Sequence, residues 1–312
     1  MYYPFLRARQ FELISIRELA AEGAIQGYII PVLEPVKESI SNLNLANRAL
    51  VDNEQQAFLI LNPMVGELPG DNDDFSNYLV QLGTSGFLPA FHYTNNGNFI
   101  TTTIRRHRFS GCMIVCNSNF TDDAVLRDLC ADESVSHIMI MEPQKNRSLD
   151  RYIKGLNKTY IRLDDVFEKQ EKNADFLNII AHKFSEEHLY YREDGYQGFS
   201  DFTVLPSEYV EGGSTPRAVV IHLTYIHRED NQIWIRHFTS ETNDSIANVQ
   251  GKFAEAAAKA IQFCEEYPLS NSATSELRAY YDHRRYPGLG TVKKISIKNH
   301  LLVISGFLNS IA

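Results

Sequence analysis

Four carboxylates, one histidine and two asparagines lie at or near the ends of segments that have the character of strands. They are Glu34, Asn62, His92, Asn117, Glu142, Asp164 and Asp201. Carboxylates and histidine can act as general acids or bases, and polar side chains such as amides orient a bound ligand. The set is therefore a candidate site, in which the four carboxylates are the candidate catalytic groups and the other three residues are candidate ligand-binding groups.

Three of these residues, Glu34, Asn62 and Glu142, close segments with the clear features of a buried strand. Tyr28 to Pro35 reads YIIPVLEP, Ser136 to Pro143 reads SHIMIMEP and Ala57 to Pro63 reads AFLILNP. A continuous apolar run suits a strand that is covered on both faces, as in a parallel sheet. The proline stops the strand because it lacks the N–H that a ladder hydrogen bond needs. The polar residues are therefore expected at one edge of a parallel sheet.

Strand-like and helix-like segments alternate through most of the chain. After a helical pattern at residues 11–22, the segments predicted as strands are 28–34, 57–62, 87–93, 111–117, 136–142, 159–166, 198–205 and 218–227, the last continuing into a hairpin with 232–239. Strand starts lie roughly 20 to 40 residues apart, near the ~31 residues of an average unit in a (β/α)8 barrel. The predicted fold is thus α/β, a (β/α)8 TIM-like barrel with an N-terminal helix, an extended hairpin at strand eight and a C-terminal appendage. An open doubly wound sheet is the alternative.

The predicted domains are a barrel-like domain at 1–268 and an appendage or flap at 269–312. The polar stretch SNSATSE marks the start of the appendage. A helix is predicted at residues 173–188, between the sixth and seventh predicted strands. Only loop-like sequence separates the seventh and eighth, so the last unit should have a degenerate helix.

Alternation of side chains along a strand predicts which residues face the barrel interior. If Glu34 points inward, Val32 does too, and the same count puts the other strand-end residues at the mouth, with Arg162 beneath Asp164. Barrel enzymes build their sites at this end of the strands. Taken singly, an Asn or Asp at a strand end often caps a turn, and a lone histidine can be a core residue. The hypothesis therefore depends on the set.

Four carboxylates at one mouth need compensating charge. Two like charges about 4 Å apart cost on the order of 4 kcal/mol at an effective dielectric constant of about 20. Arginine partners, a divalent cation or protonation of one carboxyl group would remove this cost. Arginine is favoured over a metal because the strands carry no HxH or HxxxH pair. Arg162 is the nearest, and Arg7 and Arg9 could reach the mouth from the N-terminal segment.

Composition restricts the class of protein. The 312 residues carry a net charge of −9, which argues against nucleic-acid binding through the bulk field, although RRHR at 105–108 and YYDHRRY at 280–286 leave a local basic surface open. The four cysteines form no CxxC pair, which is typical of reduced thiols and predicts a cytoplasmic protein. No apolar run approaches the roughly 20 residues of a membrane span, and the first residues do not have the pattern of a signal peptide.

Several stretches carry a resemblance to a known family: MYYPFLRARQFELISIREL, IIPVLEP, GFSDFTVLPSEY and AVVIHLTYIHREDNQIWIRHF. The chain resembles the bacterial and prophage "beta protein" family over most of residues 1–265. Pro4, Arg9 and Glu12 match the family's opening, where Phe11 replaces a common glycine, and the Gly-x-x-Asp-aromatic motif matches residues 198–202. The resemblance implies a TIM barrel and an association with phage-defence neighbourhoods.

The leading hypothesis is a cytoplasmic bacterial barrel protein of antiviral defence that acts with a partner protein and binds a phosphate-containing ligand at the mouth. In a hydrolytic version, Glu142 or Asp201 is the general base and Arg162 the anion clamp. One alternative is a non-catalytic interaction module that uses the acidic mouth and the hairpin near Asp230. Another is a metal-dependent phosphodiesterase of metabolism. The sequence leaves open whether the protein is an enzyme, and whether it uses a divalent cation.

Overall fold

The computed structural model describes residues 1–117, 119–212 and 217–311 of the chain. They form two compact units, one of Met1–Asp165 with Glu187–Phe202 and the other of Val166–Glu186 with Thr203–Ala312. The second unit thus includes a segment inserted into the first. The proposed division into domains at residue 268 stays a prediction, and the compact units are bounded elsewhere.

The first unit contains a sheet of eight strands in which each neighbouring pair is parallel. In order across the sheet the strands are β1 (Phe5–Leu6), β2 (Val32–Leu33), β3 (Ala57–Ile60), β4 (Phe87–His92), β5 (Cys112–Cys116), β6 (Val135–Met141), β7 (Thr159–Asp164) and β9 (Gly198–Asp201).

The two ends of this sheet meet near the start of the chain. Tyr2 forms parallel bridges to both Ile29 and Phe199. The Tyr3 N–H donates to the Phe199 carbonyl at 2.9 Å, and the Phe199 N–H donates to the Met1 carbonyl at 3.2 Å. The sheet is therefore a nearly closed barrel, and the predicted (β/α)8 TIM-like fold is confirmed.

Helices alternate with the barrel strands. They are α1 (Gln10–Ala21), α2 (Ser41–Asp52), α3 (Asp74–Gln81), α4 (Gly97–His107), α5 (Ala124–Ala131), α6 (Arg147–Lys154) and the short α7 (Glu187–Tyr190). Most present an apolar stripe to the barrel wall, as α2 does with Leu43, Ala46 and Leu50. The strands are consequently apolar on both faces.

Alternate residues of the strands fill the barrel interior. The buried side chains of this core are Tyr3, Phe5, Val32, Phe58, Ile60, Ala90, Met113, Val115, Met139, Ile161, Leu163 and Phe202. β1 to β7 contribute one or two of them each, as the inward half of a pleated strand should, and Phe202 follows β9 directly. This packed core supports the candidate site above it.

Two strands differ from the prediction. The barrel begins with β1, whose two residues between Pro4 and Arg7 are too short to show a period of two. The predicted eighth strand and its hairpin lie in a separate sheet, because residues 220–226 pair antiparallel with 233–239 rather than with a barrel strand. The eighth barrel strand is β9, which was predicted as the seventh.

The second unit is built on a three-stranded antiparallel sheet with the order β10 (Val220–Ile226), β11 (Ile233–Thr239) and β8 (Ala181–Ser185). The predicted helix at 173–188 is wrong: this stretch forms a short 3₁₀ turn at Asn173–Leu177, the strand β8 and the start of α7. The sheet packs with α8 (Val249–Glu266), α9 (Ser272–Asp282) and α10 (Leu289–Ser310) around a core that includes Leu223, Ala257 and Leu277.

Helix α10 covers the outer edge of the second sheet. The Ser296 hydroxyl accepts from the backbone N–H of His222 at 3.3 Å, and the Asn299 amide donates to the Thr224 carbonyl at 2.9 Å. These bonds satisfy backbone groups of β10 that a neighbouring strand would otherwise pair. None of the helices in the described residues has the length and apolar character needed to cross a membrane.

Candidate functional site

Arg7, Glu34 and His92 meet at the carboxyl ends of β1, β2 and β4, and we call them the mouth cluster. The Arg7 guanidinium donates to Glu34 Oε2 and forms an ion pair with it. His92 Nε2 lies 3.2 Å from Glu34 Oε1. The Met64 N–H donates to the same Oε1 at 2.7 Å. The Glu34 carboxylate is thus held by three strand ends and one loop.

Aromatic rings fix the position of Arg7. Its guanidinium carbon lies 5.3 Å from the centre of the Phe5 ring and 5.7 Å from that of Phe202. The two rings belong to the barrel core and lie 5.1 Å apart. A guanidinium is attracted to the faces of such rings, most strongly where water is excluded. Ala8 then takes a left-handed φ of 49°, which turns the chain away from the mouth directly after Arg7.

The mouth cluster is strongly buried. Glu34 is 0% exposed, the His92 side chain 1% and the Arg7 side chain 15%. Burial lowers the pKa of His92 from 6.5 to about 3, and the nearby Arg7 charge lowers it further in the same direction. His92 is therefore neutral near pH 7, and its contact with Glu34 is not an ion pair. Neither ring nitrogen has a hydrogen-bond partner among the described residues.

Asn62 positions His92 rather than lining the cluster as an independent ligand group. The His92 N–H donates to Asn62 Oδ1 at 2.9 Å, and Asn62 Nδ2 donates to the His92 carbonyl at 2.9 Å. The same Nδ2 also donates to Asp71 at 3.0 Å. Asp71 in turn accepts from the Asn96 amide at 2.6 Å. Asn62 therefore links the ends of β3 and β4 by hydrogen bonds, and its bond to Asp71 attaches the loop after β3 to them.

The predicted alternation is correct for β2 to β5, where Met113 and Val115 of β5 face the interior as expected, and wrong for β6, β7 and β9. Met139, Ile161, Leu163 and Phe202 face the interior, so Arg162, Asp164 and Asp201 lie on the outer face of the barrel wall. The prediction assumed that a polar residue near a strand end points into the mouth. In β7 the apolar Ile161 and Leu163 fill the interior instead, and the polar Arg162 and Asp164 alternate with them on the outer face.

Arg162 and Asp164 form an ion pair outside the barrel. Arg162 Nε lies 2.7 Å from Asp164 Oδ2, and Nη2 lies 3.2 Å from Oδ1. Arg162 Nη1 also lies 3.2 Å from Glu187 Oε2, at the start of α7. Burial raises the pKa of Asp164, and the bonds to Arg162 oppose this rise. Arginine pairing, which was predicted as the compensation for the carboxylates, thus occurs at both Glu34 and Asp164.

Asp201 closes the barrel seam. Its Oδ1 accepts from the Tyr2 hydroxyl at 2.6 Å, and the Tyr2 ring stacks on Phe199 with ring centres 4.9 Å apart. Burial and the Asp201 charge raise the pKa of the Tyr2 hydroxyl well above 10. A side chain added at Gly198 would meet the Tyr3 ring at 2.5 Å. The Gly-x-x-Asp-aromatic motif therefore joins the last barrel strand to the first.

Three further predicted residues are not part of the mouth cluster. Glu142 has a left-handed φ of 47° and pairs with Lys145 at 2.6 Å on the surface. Asn117 is half-buried directly after β5, on the same face as Met113 and Val115 by alternation. Arg9 caps α1, where its backbone N–H donates to Glu12 Oε2 at 3.4 Å. Of the predicted ring of seven, Glu34 and His92 belong to the mouth cluster and Asn62 supports His92.

Two features bear on the alternative hypotheses of a metal site and a nucleic-acid surface. No group of three or more His, Cys, Asp or Glu side chains within residues 1–117, 119–212 and 217–311 is arranged to hold a metal ion. In the RRHR stretch, Arg105, Arg106 and His107 form the last turn of α4, where cations favour the helix dipole, and Arg106 pairs with Asp73.

A cleft of about 410 Å³ lies at the other end of the first unit. Its walls come from residues 25–30, 54–56 and 84–86, which precede β2, β3 and β4. The cleft and the mouth cluster are therefore competing locations for a site. We favour the mouth because barrel enzymes place their reactive groups at the carboxyl ends of the strands, whereas the amino ends serve stability.

Sequence reasoning missed a second group of titratable side chains. His182, His222 and His237 contact one another in the three-stranded sheet of the second unit. His222 and His237 could have been found as partners in a predicted hairpin, whereas His182 was hidden in a stretch predicted to be helical. Comparisons with protein-family models, with curated proteins and with solved structures find no match to this chain.

Proposed function

We propose that the barrel mouth binds a small phosphate-containing ligand through Arg7, with His92 as the neutral hydrogen-bonding group beside it. The observation that carries this proposal is the mouth cluster itself. The Arg7 guanidinium places a fixed positive charge at the mouth, and a phosphate group is attracted to such a charge. With 15% of its side chain exposed, Arg7 is the member of the mouth cluster that solvent reaches most easily.

The neutral His92 beside Glu34 supports a second function, general-base catalysis on the bound phosphate ester. A neutral imidazole can take a proton from water or from a hydroxyl group of the ligand, and the negative charge of a bound phosphate would raise the lowered pKa of His92 toward the range that a general base needs. The neighbouring carboxylate stabilises the imidazolium that forms. In this version His92 takes the general-base role predicted for Glu142 or Asp201, and Arg7 takes the anion-clamp role predicted for Arg162.

Binding is tested by isothermal titration of the protein with pyrophosphate and with ATP, each with and without Mg²⁺. The test variant is the double substitution Arg7→Met/Glu34→Gln, which removes both charges and leaves no unpaired buried carboxylate. Arg127→Met is a matched control, since Arg127 also pairs with a carboxylate, Asp122, and lies 4.9 Å from the centre of the Tyr152 ring. We expect the double variant to lose binding at least 10-fold and the control to keep it.

Equal binding by the parent and the double variant would contradict the proposal, as would heat signals that depend only on Mg²⁺. Catalysis is tested separately, by phosphate release from the ligands that bind. There, His92→Gln should abolish turnover while binding persists. Binding without turnover in the parent would leave the mouth as a binding site and remove the catalytic version.

We further propose that this binding serves bacterial antiviral defence in the cytoplasm, together with a partner protein. The support is the resemblance of residues 1–265 to the "beta protein" family. Phage plating on bacteria that express the chain with its adjacent genes tests this proposal. Plating should fall with the parent chain and recover with the double variant. Unchanged plating with the parent would contradict the defence role without bearing on ligand binding.

A further inference from the structure

Three histidines form a continuous row across the sheet of the second unit, and we call them the histidine ladder. His222 on β10 lies opposite His237 on β11 in the strand register, with their Nδ1 atoms 2.7 Å apart. His237 Nε2 then lies 3.2 Å from Nε2 of His182 on β8. The His182 Nδ1 lies 3.0 Å from the Lys183 carbonyl. Each strand of the sheet thus contributes one ring.

Phenylalanine rings cover the ladder. Phe176, in the 3₁₀ turn, lies 4.9 Å from the His222 ring and 4.5 Å from the His237 ring, measured between centres. Phe167 meets His222 edge-on at 5.3 Å. Both phenylalanines belong to the segment 166–186, which also supplies β8. The segment therefore rests on the sheet through β8 and through rings that pack on the ladder.

The ladder is arranged for protons rather than for a metal. His237 turns its Nδ1 toward one neighbour and its Nε2 toward the other, so its nitrogens point in opposite directions. One metal ion could therefore take a ligand from only two of the three rings. A carbonyl can only accept, so the His182 Nδ1 must carry hydrogen. It follows that the His182 Nε2 accepts from His237, and that the His237 Nδ1 accepts from His222.

In this assignment each contact between neighbouring rings has one N–H donor and one acceptor nitrogen. An additional proton on His182 or His237 would place two N–H groups face to face, which breaks a contact of the ladder. Burial lowers the pKa of His222 to about 3, with a further contribution from His182. Burial likewise lowers the pKa of His237 to about 2, with contributions from His222 and His182. His222 and His237 are therefore neutral in the fold, whereas solvent-exposed histidine rings take up protons near pH 6.5.

The other charged groups around the ladder are mostly paired with groups outside it. Glu168 Oε1 lies 3.7 Å from His182 Nδ1, at the end of the ladder away from His222. Lys169 is paired with Glu208, and Lys183 lies 3.4 Å from Glu186. Asp175 in the 3₁₀ turn accepts from the Lys172 N–H, and His300 of α10 packs on Phe184.

We propose that the histidine ladder is a proton-operated latch, in which proton uptake by its rings releases segment 166–186 from β11. The latch is closed above pH 6.5, the ordinary pKa of the two buried rings, because no proton is then gained on release. As the pH falls below 6.5, release takes up protons and becomes more favourable by about 10-fold per ring for each pH unit. With two buried rings, the opening equilibrium should rise about 100-fold between pH 7.5 and pH 5.5.

Hydrogen exchange of the whole chain tests the latch. Amide exchange of the peptide covering residues 178–186 is measured from pH 7.5 to pH 5.5 and corrected for the intrinsic pH dependence of exchange. We expect the opening constant to rise about 100-fold in the parent and at most about 10-fold in His237→Gln. His222→Gln is a second removal of one buried ring and should behave in the same way. His283→Gln, at the exposed end of α9, is the matched control and should keep the 100-fold rise.

An opening constant that does not change with pH in the parent would overturn the latch. A rise of the same size in the parent and in both ladder variants would also overturn it, because the protons would then be taken up elsewhere.

Discussion

Removal of Arg7 should strongly destabilise the barrel, because Glu34 would be left fully buried with no charged partner. Breaking a buried ion pair by deleting one member costs about 3–5 kcal/mol, whereas replacing both members by uncharged groups of similar volume is often nearly neutral. We therefore expect Arg7→Met to lower the free energy of unfolding by about 3 kcal/mol, the lower limit of that range. The double variant Arg7→Met/Glu34→Gln should recover most of that loss.

Buried cysteine thiols in the barrel can report on this loss of stability. Cys112, Cys116 and Cys130 are buried in the first unit, and burial raises the pKa of each thiol. Such thiols react with an aromatic disulfide reagent only when the barrel opens. In a Cys264→Ser background, which removes the cysteine of the second unit, the labelling rate reports on the barrel alone. A loss of 3 kcal/mol corresponds to labelling about 150-fold faster.

Arg127→Met is the control for this experiment. Its ion pair with Asp122 is partly solvent-exposed, and such pairs are worth about 0–1 kcal/mol, so labelling should accelerate no more than about 5-fold. The reasoning is refuted if Arg7→Met labels within 5-fold of its parent. It is also refuted if the double variant labels as fast as Arg7→Met, since the cost would then not come from an unpaired Glu34.

Three further predictions concern the barrel seam and the mouth. Gly198→Ala should speed thiol labelling at least 10-fold, because the new methyl group would overlap the Tyr3 ring. Tyr2→Phe should cost about 1–3 kcal/mol in urea unfolding followed by circular dichroism, since the Asp201 carboxylate loses a buried hydrogen-bond donor. His92 should make the barrel less stable in acid, because its pKa is lowered to about 3 in the fold. The contribution of neutral His92 to the free energy of unfolding is present above pH 6.5. It is lost as the pH falls below that value, by about 1.4 kcal/mol per pH unit. His92→Gln should remove that slope, and an unchanged slope would show that His92 is not responsible.

Local patterns in the sequence were sufficient to predict most of the barrel. The apolar runs that end at Glu34, Asn62 and His92 predicted three adjacent strands and the edge at which their polar residues lie. Two of these three residues form the centre of the candidate site. Such signals depend on neighbouring residues along one strand, which the sequence displays directly.

Features that depend on distant residues could not be predicted in the same way. β1 is too short to have a pattern of its own, and the bridge from Tyr2, just before it, to Phe199 of β9 joins residues that lie nearly 200 positions apart. In β7 the polar Arg162 and Asp164 alternate with the apolar Ile161 and Leu163, and the expectation that strand-end polar residues face the mouth selected the wrong set as the inward one. The histidine ladder requires three strands that are not consecutive in the chain, one of which was predicted as a helix.

The seam between the first and last barrel strands also determines when the barrel can form during synthesis. Until residues 198–201 have been made, Tyr3 and its neighbours have a strand partner on one side only. The growing chain therefore carries an open sheet edge through most of its translation, including the whole of the inserted segment 166–186. Unpaired edges of this kind are sites of misassembly, and late pairing of distant strands slows folding. A ribosome-bound chain that stops before residue 198 should consequently be protease-sensitive and dependent on chaperones, and one that extends past 202 should not.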